Sequence, residues 1–383
     1  MIRTILLMVL AIAGTQGSAR AQVLEIALPA NDLIYDSARQ RIYASVPSRA
    51  GAGQGNTITA INPATGALGP SVFVGSEPGK LALSGDGRYL YVALDGAAAV
   101  RRVDAATLTP GLQFVLGNDP YFGPYYVDDM EVVPGAPGSV ATSRRRAAVS
   151  PSHGGVAVYD DGVMRPVVTE SHTGSNEIEF GSDGARLYGL STESDLGFRR
   201  MEVAPAGVTV LDVTPNLLSR HNARMVMDTG RIHFSSGQTI DPETRQIIGT
   251  YSTPSAFTTL VRPAVDSGRV FFLTDDTLRT FDAATFVPLG VTHIADVSGN
   301  PLRLIRVGPA GLAFSTDDDE VFLLGSLPSA PVPTMTLTLT GCSAVCRPGD
   351  GFSVSATVTN PGARAVDVEV KAGVAMPRPR TEP

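Results

Sequence analysis

Tryptophan is absent from the 383-residue chain, and cysteine occurs only twice. After residue 21 no apolar run approaches the ~20 residues that a helix needs to cross a bilayer, and no extended apolar pattern has the 3.6-residue period of a helix. Glycine and proline are frequent instead, with 40 and 28 residues. The composition therefore predicts an all-β chain of short strands and many turns.

The short motifs of common catalytic and cofactor sites are also missing. The five histidines are scattered, and there is no HExxH, CxxCH, Walker loop or GxSxG sequence. Residues 51–55 are rich in glycine, but they open no helix and are interpreted as a flexible loop instead of a phosphate cradle. We accordingly predict no cofactor and no metal ion.

The first 21 residues have the pattern of a secretory signal peptide. Arg3 supplies a positive charge, residues 5–13 are apolar, and Ala19-Arg20-Ala21 is a small-x-small cleavage site. We expect a mature protein that begins at Gln22, has no transmembrane segment, and is secreted, periplasmic or held at the cell surface.

The chain is net acidic. Its formal charge is −7, and loss of residues 1–21, which carry Arg3 and Arg20 and no acidic residue, leaves −9. Such a charge disfavours non-specific contact with nucleic acid or anionic lipid. We therefore expect no nucleic-acid partner.

One stretch of the sequence, residues 80–110, shows a pattern that recurs along the chain. It contains an apolar run at Leu81–Leu83, a tight turn at Gly85–Gly87, a β-rich run at Tyr89–Val92, and a third strand at Ala99–Val103 that ends in a turn. This order is typical of a four-stranded antiparallel blade. Further copies begin near Asp32, Val127, Glu177, Arg224, Leu260 and Arg303. The spacing of roughly 40–50 residues is typical of β-propellers.

The seventh copy, from Arg303 to Leu324, lacks a fourth strand. Val23–Leu28 precedes the first copy and has no partner there, so we predict that it pairs as the outer strand of the seventh blade. This arrangement is a seven-bladed propeller over residues 22–326, closed by its N-terminal strand, with no free sheet edge at the join.

Segments of the first two copies carry a resemblance to a known family. They are Asn62–Gly66, Val74–Pro78, Leu83–Ala93 and Val103–Thr107. These segments resemble the YVTN-type repeat of secreted bacterial propellers, which include surface-antigen-like and lactonase-like proteins, whereas the lack of tryptophan argues against a WD40 propeller. The resemblance implies the architecture but leaves the activity open, because its recurring residues serve turns and packing.

The C-terminal segment is predicted as a second module. Residues 327–333 form a proline-rich, extended linker, and Thr334–Thr340, Phe352–Thr359 and Ala365–Val370 then alternate apolar and polar residues. They are predicted as the first strands of an immunoglobulin-like sandwich over residues 334–383, resembling bacterial cell-adhesion modules. Such a β-sandwich needs about 100 residues, so we expect an incomplete one.

Both cysteines, Cys342 and Cys346, lie in this second module. In an exported protein a local disulfide is the preferred interpretation over two free thiols. A ring this small stiffens a turn but adds little stability. No histidine lies nearby to complete a metal site.

Loop lengths differ between the two faces of the predicted propeller. The turns after the first and third strands share one face and are short, such as Gly85–Gly87 and Asp266–Gly268. The other face carries the long loops Pro47–Asn56 and Ser143–Gly154 and the crossing Gly117–Tyr126. Binding residues usually lie on loops carried by a rigid scaffold. We therefore place any partner, whether a protein, a peptide or a saccharide, on this long-loop face.

Charged residues open six of the seven inner strands and should surround the central mouth on the long-loop face. They are Asp32, Lys80, Asp129, Glu177, Arg224 and Arg303, with Thr259 at the remaining position. These residues could orient a polar ligand, but the preferred interpretation is a ring of mutually neutralising ion pairs.

The crossing between blades two and three contains four aromatic residues in six positions. They are Tyr121, Phe122, Tyr125 and Tyr126. Exposed rings could stack on a sugar or grip a peptide. Alternatively, the rings fold inward and fill the space between the two blades.

Arg144–Arg146 and His153 lie in the long loop predicted for blade three. Three arginines could bind a phosphate, sulfate or carboxylate group, but the preferred interpretation is a solvated basic loop balanced by Asp160 and Asp161. The acidic run at residues 317–320 is likewise interpreted as a solvated turn, because it lacks the spacing of a Ca²⁺ loop.

Three residues are candidates for catalysis. His172 and Glu177 lie near the start of blade four and could form an acid–base pair, with Arg224 nearby, if they face the mouth. The preferred interpretation of His172 is a polar loop residue.

The preferred function is a binding module that presents variable loops on one face. The first alternative, implied by the resemblance, is a lactonase-like hydrolase that acts on a sugar lactone at the central mouth. The second is a structural spacer at the cell surface. An enzyme requires ionisable groups that converge in one pocket, whereas the binding hypothesis requires at least two of the four aromatic rings to be exposed.

Overall fold

Seven four-stranded antiparallel sheets around one axis form the first of two compact units in the computed structural model of the chain. The structure describes residues 23–218, 221–254, 258–325, 334–340 and 353–359. The innermost strand of each sheet contacts the innermost strands of the two neighbouring sheets, and the ring closes. The predicted seven-bladed β-propeller is therefore confirmed.

A short N-terminal strand, β1 (Val23–Ala27), precedes the blades, and the strands of each blade then follow the chain from the central channel outward. Blades one to three contain β2 (Asp32–Asp36), β3 (Arg41–Val46), β4 (Thr57–Ile61) and β5 (Leu68–Phe73); β6 (Pro78–Leu83), β7 (Tyr89–Leu94), β8 (Ala99–Asp104) and β9 (Thr109–Val115); and, after a hairpin of β10 (Asn118–Asp119) and β11 (Gly123–Pro124), β12 (Tyr126–Val132), β13 (Ser139–Arg145), β14 (His153–Asp160) and β15 (Val163–Met164).

Blades four to seven continue the same order. They contain β16 (Glu177–Phe180), β17 (Arg186–Leu190), β18 (Phe198–Ala204) and β19 (Gly207–Thr214); β20 (Met225–Asp228), β21 (Arg231–Phe234), β22 (Gln238–Asp241) and β23 (Gln246–Thr250); β24 (Leu260–Ala264), β25 (Arg269–Thr274), β26 (Thr277–Asp282) and β27 (Pro288–His293); and β28 (Pro301–Val307), β29 (Gly311–Thr316) and β30 (Glu320–Leu324). Single 3₁₀ turns occur at Ser48–Ala50, Asp95–Ala97 and Val265–Ser267.

The N-terminal strand completes blade seven, as predicted. β1 runs antiparallel to β30, from the pair Val23 and Leu324 to the pair Ala27 and Glu320. Leu24 and Ile26 pack on the apolar core between blades seven and one. Both ends of the propeller therefore meet in one sheet, and no edge is left open at the join.

The middle strands of the blades are apolar because neighbouring blades cover both of their faces. β3 and β7 are buried from their second residue to their last, whereas the outer strands β5 and β9 are mostly exposed. In blades one, two, four, five and six the outer strand carries one extra residue relative to its neighbour. Such bulges twist an exposed edge away from further pairing.

The recurring turn sequences have a local physical role. Asp104 Oδ1 accepts hydrogen bonds from the backbone N–H groups of Ala106 and Thr107, at 3.0 and 2.9 Å, and these bonds lower the pKa of Asp104. Asn62, Asp241 and Asp282 form the same turn at the ends of their third strands. The repeated residues therefore close hairpins.

The second unit contains a two-stranded antiparallel ladder. β31 (Thr334–Thr340) pairs with β32 (Ser353–Thr359) along their full length, which confirms two of the predicted strands. The predicted signal peptide, linker, third strand at residues 365–370 and disulfide between Cys342 and Cys346 lie outside the described residues, so they and the immunoglobulin-like sandwich remain predictions.

Candidate functional site

Ion pairs surround the opening of the central channel on the long-loop face. Arg303 Nε lies 2.9 Å from Asp32 Oδ1 and Lys80 Nζ lies 3.3 Å from Asp129 Oδ1. Arg224 Nη1 lies 2.5 Å from Glu177 Oε1. Each pair joins two neighbouring blades, so six of the seven predicted column residues meet their opposite charge. We call this opening the channel mouth. Thr259 differs, because its hydroxyl bonds to Thr274 within blade six.

Two of the carboxylates also bind the backbone of the next blade. Asp32 Oδ2 accepts the N–H of Leu81, and Asp129 Oδ2 accepts the N–H of Ile178, each at 2.9 Å. The acceptor and the donor are 49 residues apart in both cases. A carboxylate at this repeat position therefore links two blades through a charge-assisted hydrogen bond, which is a structural role that the sequence pattern did not reveal.

Three further charged residues line the channel, and none of them was among the predicted site residues. Glu131 and Glu179 follow Asp129 and Glu177 by two positions, so they face the same side of β12 and β16. Arg262 lines a cavity of about 130 Å³ at the channel mouth, with Lys80, Arg224 and Arg303. The alternation of acids in these two inner strands was the available signal for the glutamates.

The channel shifts the pKa values of its carboxyl groups in opposite directions. Burial, together with the neighbouring Asp129, raises the pKa of Glu131 to about 8. Burial and Glu131 raise the pKa of Glu179 well above its ordinary value. At Glu177 burial acts in the same direction, but Arg224 and Lys80 outweigh it and lower the pKa. The deeper carboxyls therefore hold protons while the carboxylate at the mouth is ionised.

We expect the stability of the Glu131→Gln variant to decrease less than that of the wild type as the pH rises. The pKa of Glu131 rises to about 8 in the folded state, so its contribution to stability is complete below the unfolded pKa of about 4.3 and is lost as the pH rises towards 8. Glutamine cannot ionise. Between pH ~5 and ~8.5 the free energy of unfolding should fall by about 4 kcal/mol less in the variant than in the wild type.

The measurement is urea unfolding followed by circular dichroism across this pH range, because the chain has no tryptophan. Glu202→Gln is the matched control, since Glu202 is an exposed residue of β18. Parallel pH profiles for the wild type and Glu131→Gln would contradict the raised pKa.

The predicted aromatic crossing forms a small hairpin, which we call the aromatic hairpin (residues 118–126). Asp119 Oδ1 accepts hydrogen bonds from the backbone N–H groups of Tyr121 and Phe122, at 2.9 and 3.1 Å. Tyr121 is 89% exposed and Phe122 is 43% exposed, while Tyr125 and Tyr126 are half-buried. Two rings are therefore exposed, and the interpretation in which all four fold inward is wrong.

The interpretation of Arg144–Arg146 as a solvated loop is also wrong. β13 extends through Arg145, and Arg144 and Arg146 are buried. The three guanidinium groups stack on rings of the aromatic hairpin: Arg144 on Tyr125 at 4.4 Å, Arg145 on Tyr126 at 5.1 Å and Arg146 on Phe122 at 5.1 Å. Cation–π contacts and hydrogen bonds to carbonyl oxygens replace the expected solvation.

The two aspartates that were predicted to balance the charge of Arg144–Arg146 form ion pairs with other arginines. Asp160 pairs with Arg165 and Asp161 pairs with Arg102.

His153 is buried beside the arginine run. Burial and the charge of Arg199 lower the pKa of His153 to about 3, so its ring is neutral at physiological pH.

A close backbone approach seats the half-buried part of the hairpin. At Gly154 a Cβ atom would lie 2.5 Å from a ring carbon of Tyr125, so glycine is required for the ring to reach β14 and the Arg144 side chain. The Tyr125 hydroxyl lies 3.4 Å from Asp119 Oδ2. The packing of the Tyr125 ring on Gly154 and Arg144, together with the contact of its hydroxyl with Asp119, therefore holds Tyr125 in place.

The structure does not bring the catalytic candidates together. Glu177 and Arg224 meet at the channel mouth. His172 is exposed, and its backbone N–H bonds to the carbonyl of His153 on β14, the third strand of blade three. Among the described residues, no hydrogen bond or ion pair joins the side chains of His172 and Glu177.

Side chains of the acidic run at residues 317–320 bond to other residues of the protein. Asp317 accepts hydrogen bonds from Asn300, and Asp319 pairs with Arg49. Within the described part of the chain, no group of three or more His, Cys, Asp or Glu side chains is arranged to hold a metal ion.

Comparison of the chain with protein-family models and with curated proteins gives no match. In the described ranges no helix has the length and apolar character required to cross a membrane. The functional interpretation therefore depends on the geometry of the long-loop face.

Proposed function

We propose that this chain is an extracytoplasmic binding module whose aromatic hairpin engages the surface of a protein partner. The observation that carries the proposal is the pair of exposed rings at the tip, Tyr121 and Phe122, on a hairpin whose other rings and Phe122 stack on the guanidinium groups of Arg144–Arg146. Tyrosine and arginine are enriched among the residues that dominate protein–protein binding energy. The pattern of residues 1–21 supports the extracytoplasmic location, and the YVTN-type resemblance agrees with it.

The hairpin is organised before it meets a partner. Asp119 fixes the turn through two backbone hydrogen bonds, and Arg146 lies 3.8 Å from the same carboxylate while it stacks on Phe122. A preorganised contact surface loses less conformational entropy on binding than a mobile loop. In addition, a partner that covers the two exposed aromatic rings removes their apolar surface from water, which favours binding.

The shape of the aromatic hairpin is better suited to binding a protein surface than to binding a single sugar unit. Small-molecule sites are concave and cover most of their ligand, whereas the 89% exposure of Tyr121 shows that the tip projects outward. A projecting ring fits a pocket on a partner. We therefore assign the hairpin to a protein partner, and saccharide binding becomes an outcome of the test.

The alternatives have less support. A lactonase-like hydrolase at the channel mouth retains Glu177 and Arg224 but not His172, which bonds to blade three at a distance from the inner strands. A structural spacer has no need for exposed aromatic rings or for a charged cavity at its channel mouth. The binding module accounts for the exposed rings.

The test compares the full chain with a double variant, Tyr121→Ala with Phe122→Ala. Proteins of the extracytoplasmic fraction are captured on the immobilised wild type, and the partner's affinity for each form is then measured by surface plasmon resonance. We expect the double variant to bind about 30-fold more weakly, as for the loss of a central aromatic contact.

Phe73→Ala is the matched control, because Phe73 is 64% exposed at the end of the outer strand β5, away from the hairpin. Equal affinity of the partner for the wild type and the double variant would overturn the proposal. Binding to a glycan array that depends on Tyr121, without a captured protein, would replace the protein partner with a saccharide.

A further inference from the structure

One cation at the channel mouth has no carboxylate partner. Lys80, Arg224 and Arg303 each pair with an acid of a neighbouring blade. Arg262 donates from Nε to the carbonyl oxygen of Leu304 at 3.1 Å. Among the described residues, no carboxylate oxygen lies within 4.0 Å of its guanidinium group, and neither of its Nη atoms donates a hydrogen bond.

We propose that the channel mouth is a binding site for a small monocarboxylate, with Arg262 as the residue that anchors its carboxylate group. The bond from Nε to Leu304 holds the guanidinium in place. Its two Nη atoms are then available as a pair of donors, and guanidinium groups bind carboxylates through two parallel hydrogen bonds. This site is independent of the aromatic hairpin, so it goes beyond the proposed function.

The size of the cavity limits the ligand. Its volume is about 130 Å³, which corresponds to roughly four water molecules at about 30 Å³ each. A carboxylate of two to four carbons fits this space. Access is from the long-loop face, because the Arg224 side chain at the rim is 46% exposed.

The charges favour one negative charge on the ligand. The ionisable groups that face the channel are Asp32 on β2, Lys80 on β6, Asp128, Asp129 and Glu131 on β12, Glu177 and Glu179 on β16, Arg224 on β20, Arg262 on β24 and Arg303 on β28. Asp32, Asp129 and Glu177 pair with three of the four cations, and Asp128 accepts a hydrogen bond from the Asn176 amide, so Arg262 is the one cation of this group without a carboxylate partner. A doubly charged ion such as phosphate would bring an excess of negative charge.

Ligand binding should be coupled to proton uptake. Glu131 and Glu179 lie near Arg262, and an added anion makes their ionised forms less favourable. Burial already raises the pKa of Asp128 to about 6 and that of Glu131 to about 8, so part of this group titrates near neutral pH. The affinity for a carboxylate should therefore decrease as the pH rises from about 6.5 to about 8.5.

The test is calorimetric titration of the full chain with sodium acetate and sodium lactate, and with neutral acetamide as the isosteric control. We expect acetate and lactate to bind, acetamide not to bind, and Arg262→Gln to weaken the affinity by at least about tenfold. Arg306→Gln is the matched control. Arg306 lies on β28, pairs with Asp266 of the turn Val265–Ser267 and does not line the cavity, so its substitution should leave the affinity unchanged.

A second measurement on the wild type keeps the test decisive if Arg262→Gln does not fold. Titrations in two buffers of different ionisation enthalpy should show net proton uptake on acetate binding. The proposal is overturned if neither carboxylate binds, if acetamide binds as tightly as acetate, if Arg262→Gln folds and retains wild-type affinity, or if binding takes up no protons. Tighter binding of inorganic phosphate than of acetate would overturn the assignment to a monocarboxylate.

Discussion

Deletion of residues 23–27 should lower the free energy of unfolding of the full chain by on the order of 4 kcal/mol. The deletion removes β1 from blade seven, and with it the packing of Leu24 and Ile26 on the core between blades seven and one. Each partly buried aliphatic side chain is worth about 1–2 kcal/mol, and the loss of the five-residue ladder adds to this. The exposed edge of β30 should also promote association of the shortened chain.

Urea unfolding followed by circular dichroism measures the stability, and light scattering measures the association. Glu25→Gln provides the matched control, because Glu25 is an exposed residue of the same strand and its substitution removes no packing. The double variant Leu24→Ala with Ile26→Ala retains the ladder and should give an intermediate loss. An unchanged unfolding midpoint after the deletion would show that β1 does not close the ring.

Asp32→Ala should destabilise the propeller by about 3–5 kcal/mol, which is the range for removal of one partner from a buried ion pair. Asp32 is 2% exposed. Its carboxylate accepts the N–H groups of Leu33 and Leu81 and pairs with Arg303. The substitution therefore leaves two backbone donors without their acceptor and the Arg303 guanidinium without its ion-pair partner, at the junction of three blades.

Asp32→Asn separates the two contributions, because an amide oxygen still accepts a hydrogen bond from Leu81 but carries no charge for Arg303. We expect about half of the loss in this variant. A double-mutant cycle with Arg303→Ala measures the coupling within the ion pair. If Asp32→Ala costs no more than Asp104→Ala, which removes only the local hydrogen bonds of one turn, then Asp32 does not link the blades.

The fold was predictable because each blade is encoded locally. Residues such as Asp104 and Asp282 close a hairpin through hydrogen bonds to amides two and three positions away, and such turns leave a direct trace in the sequence. The closing strand was predictable by counting, since blade seven lacked one strand and Val23–Leu28 lacked a partner. Both inferences need only short-range patterns and the rule that sheet edges are paired.

The candidate sites were less predictable because they depend on contacts between distant segments. Arg144–Arg146 has the composition of a solvated loop, but in the structure its guanidinium groups stack on the rings of Phe122, Tyr125 and Tyr126 and bond to backbone carbonyls from distant segments. His172 and Glu177 are five residues apart, yet the chain crosses between blades in that interval and separates them. Glu131 was within reach of the sequence, since its spacing from Asp129 matches the period of a strand.

The pairing of β1 with β30 determines how the propeller responds to mechanical force. Val23 and Leu324 are opposite one another at the same end of the ladder, so tension applied between the N-terminus of the predicted mature chain and the residue after Leu324 should separate the pairs one at a time. Strands loaded in this direction separate at lower force than strands sheared along their length, because only one pair of hydrogen bonds resists at any moment. Under tension, the ring should therefore open first at this seam, while the other six blades stay folded.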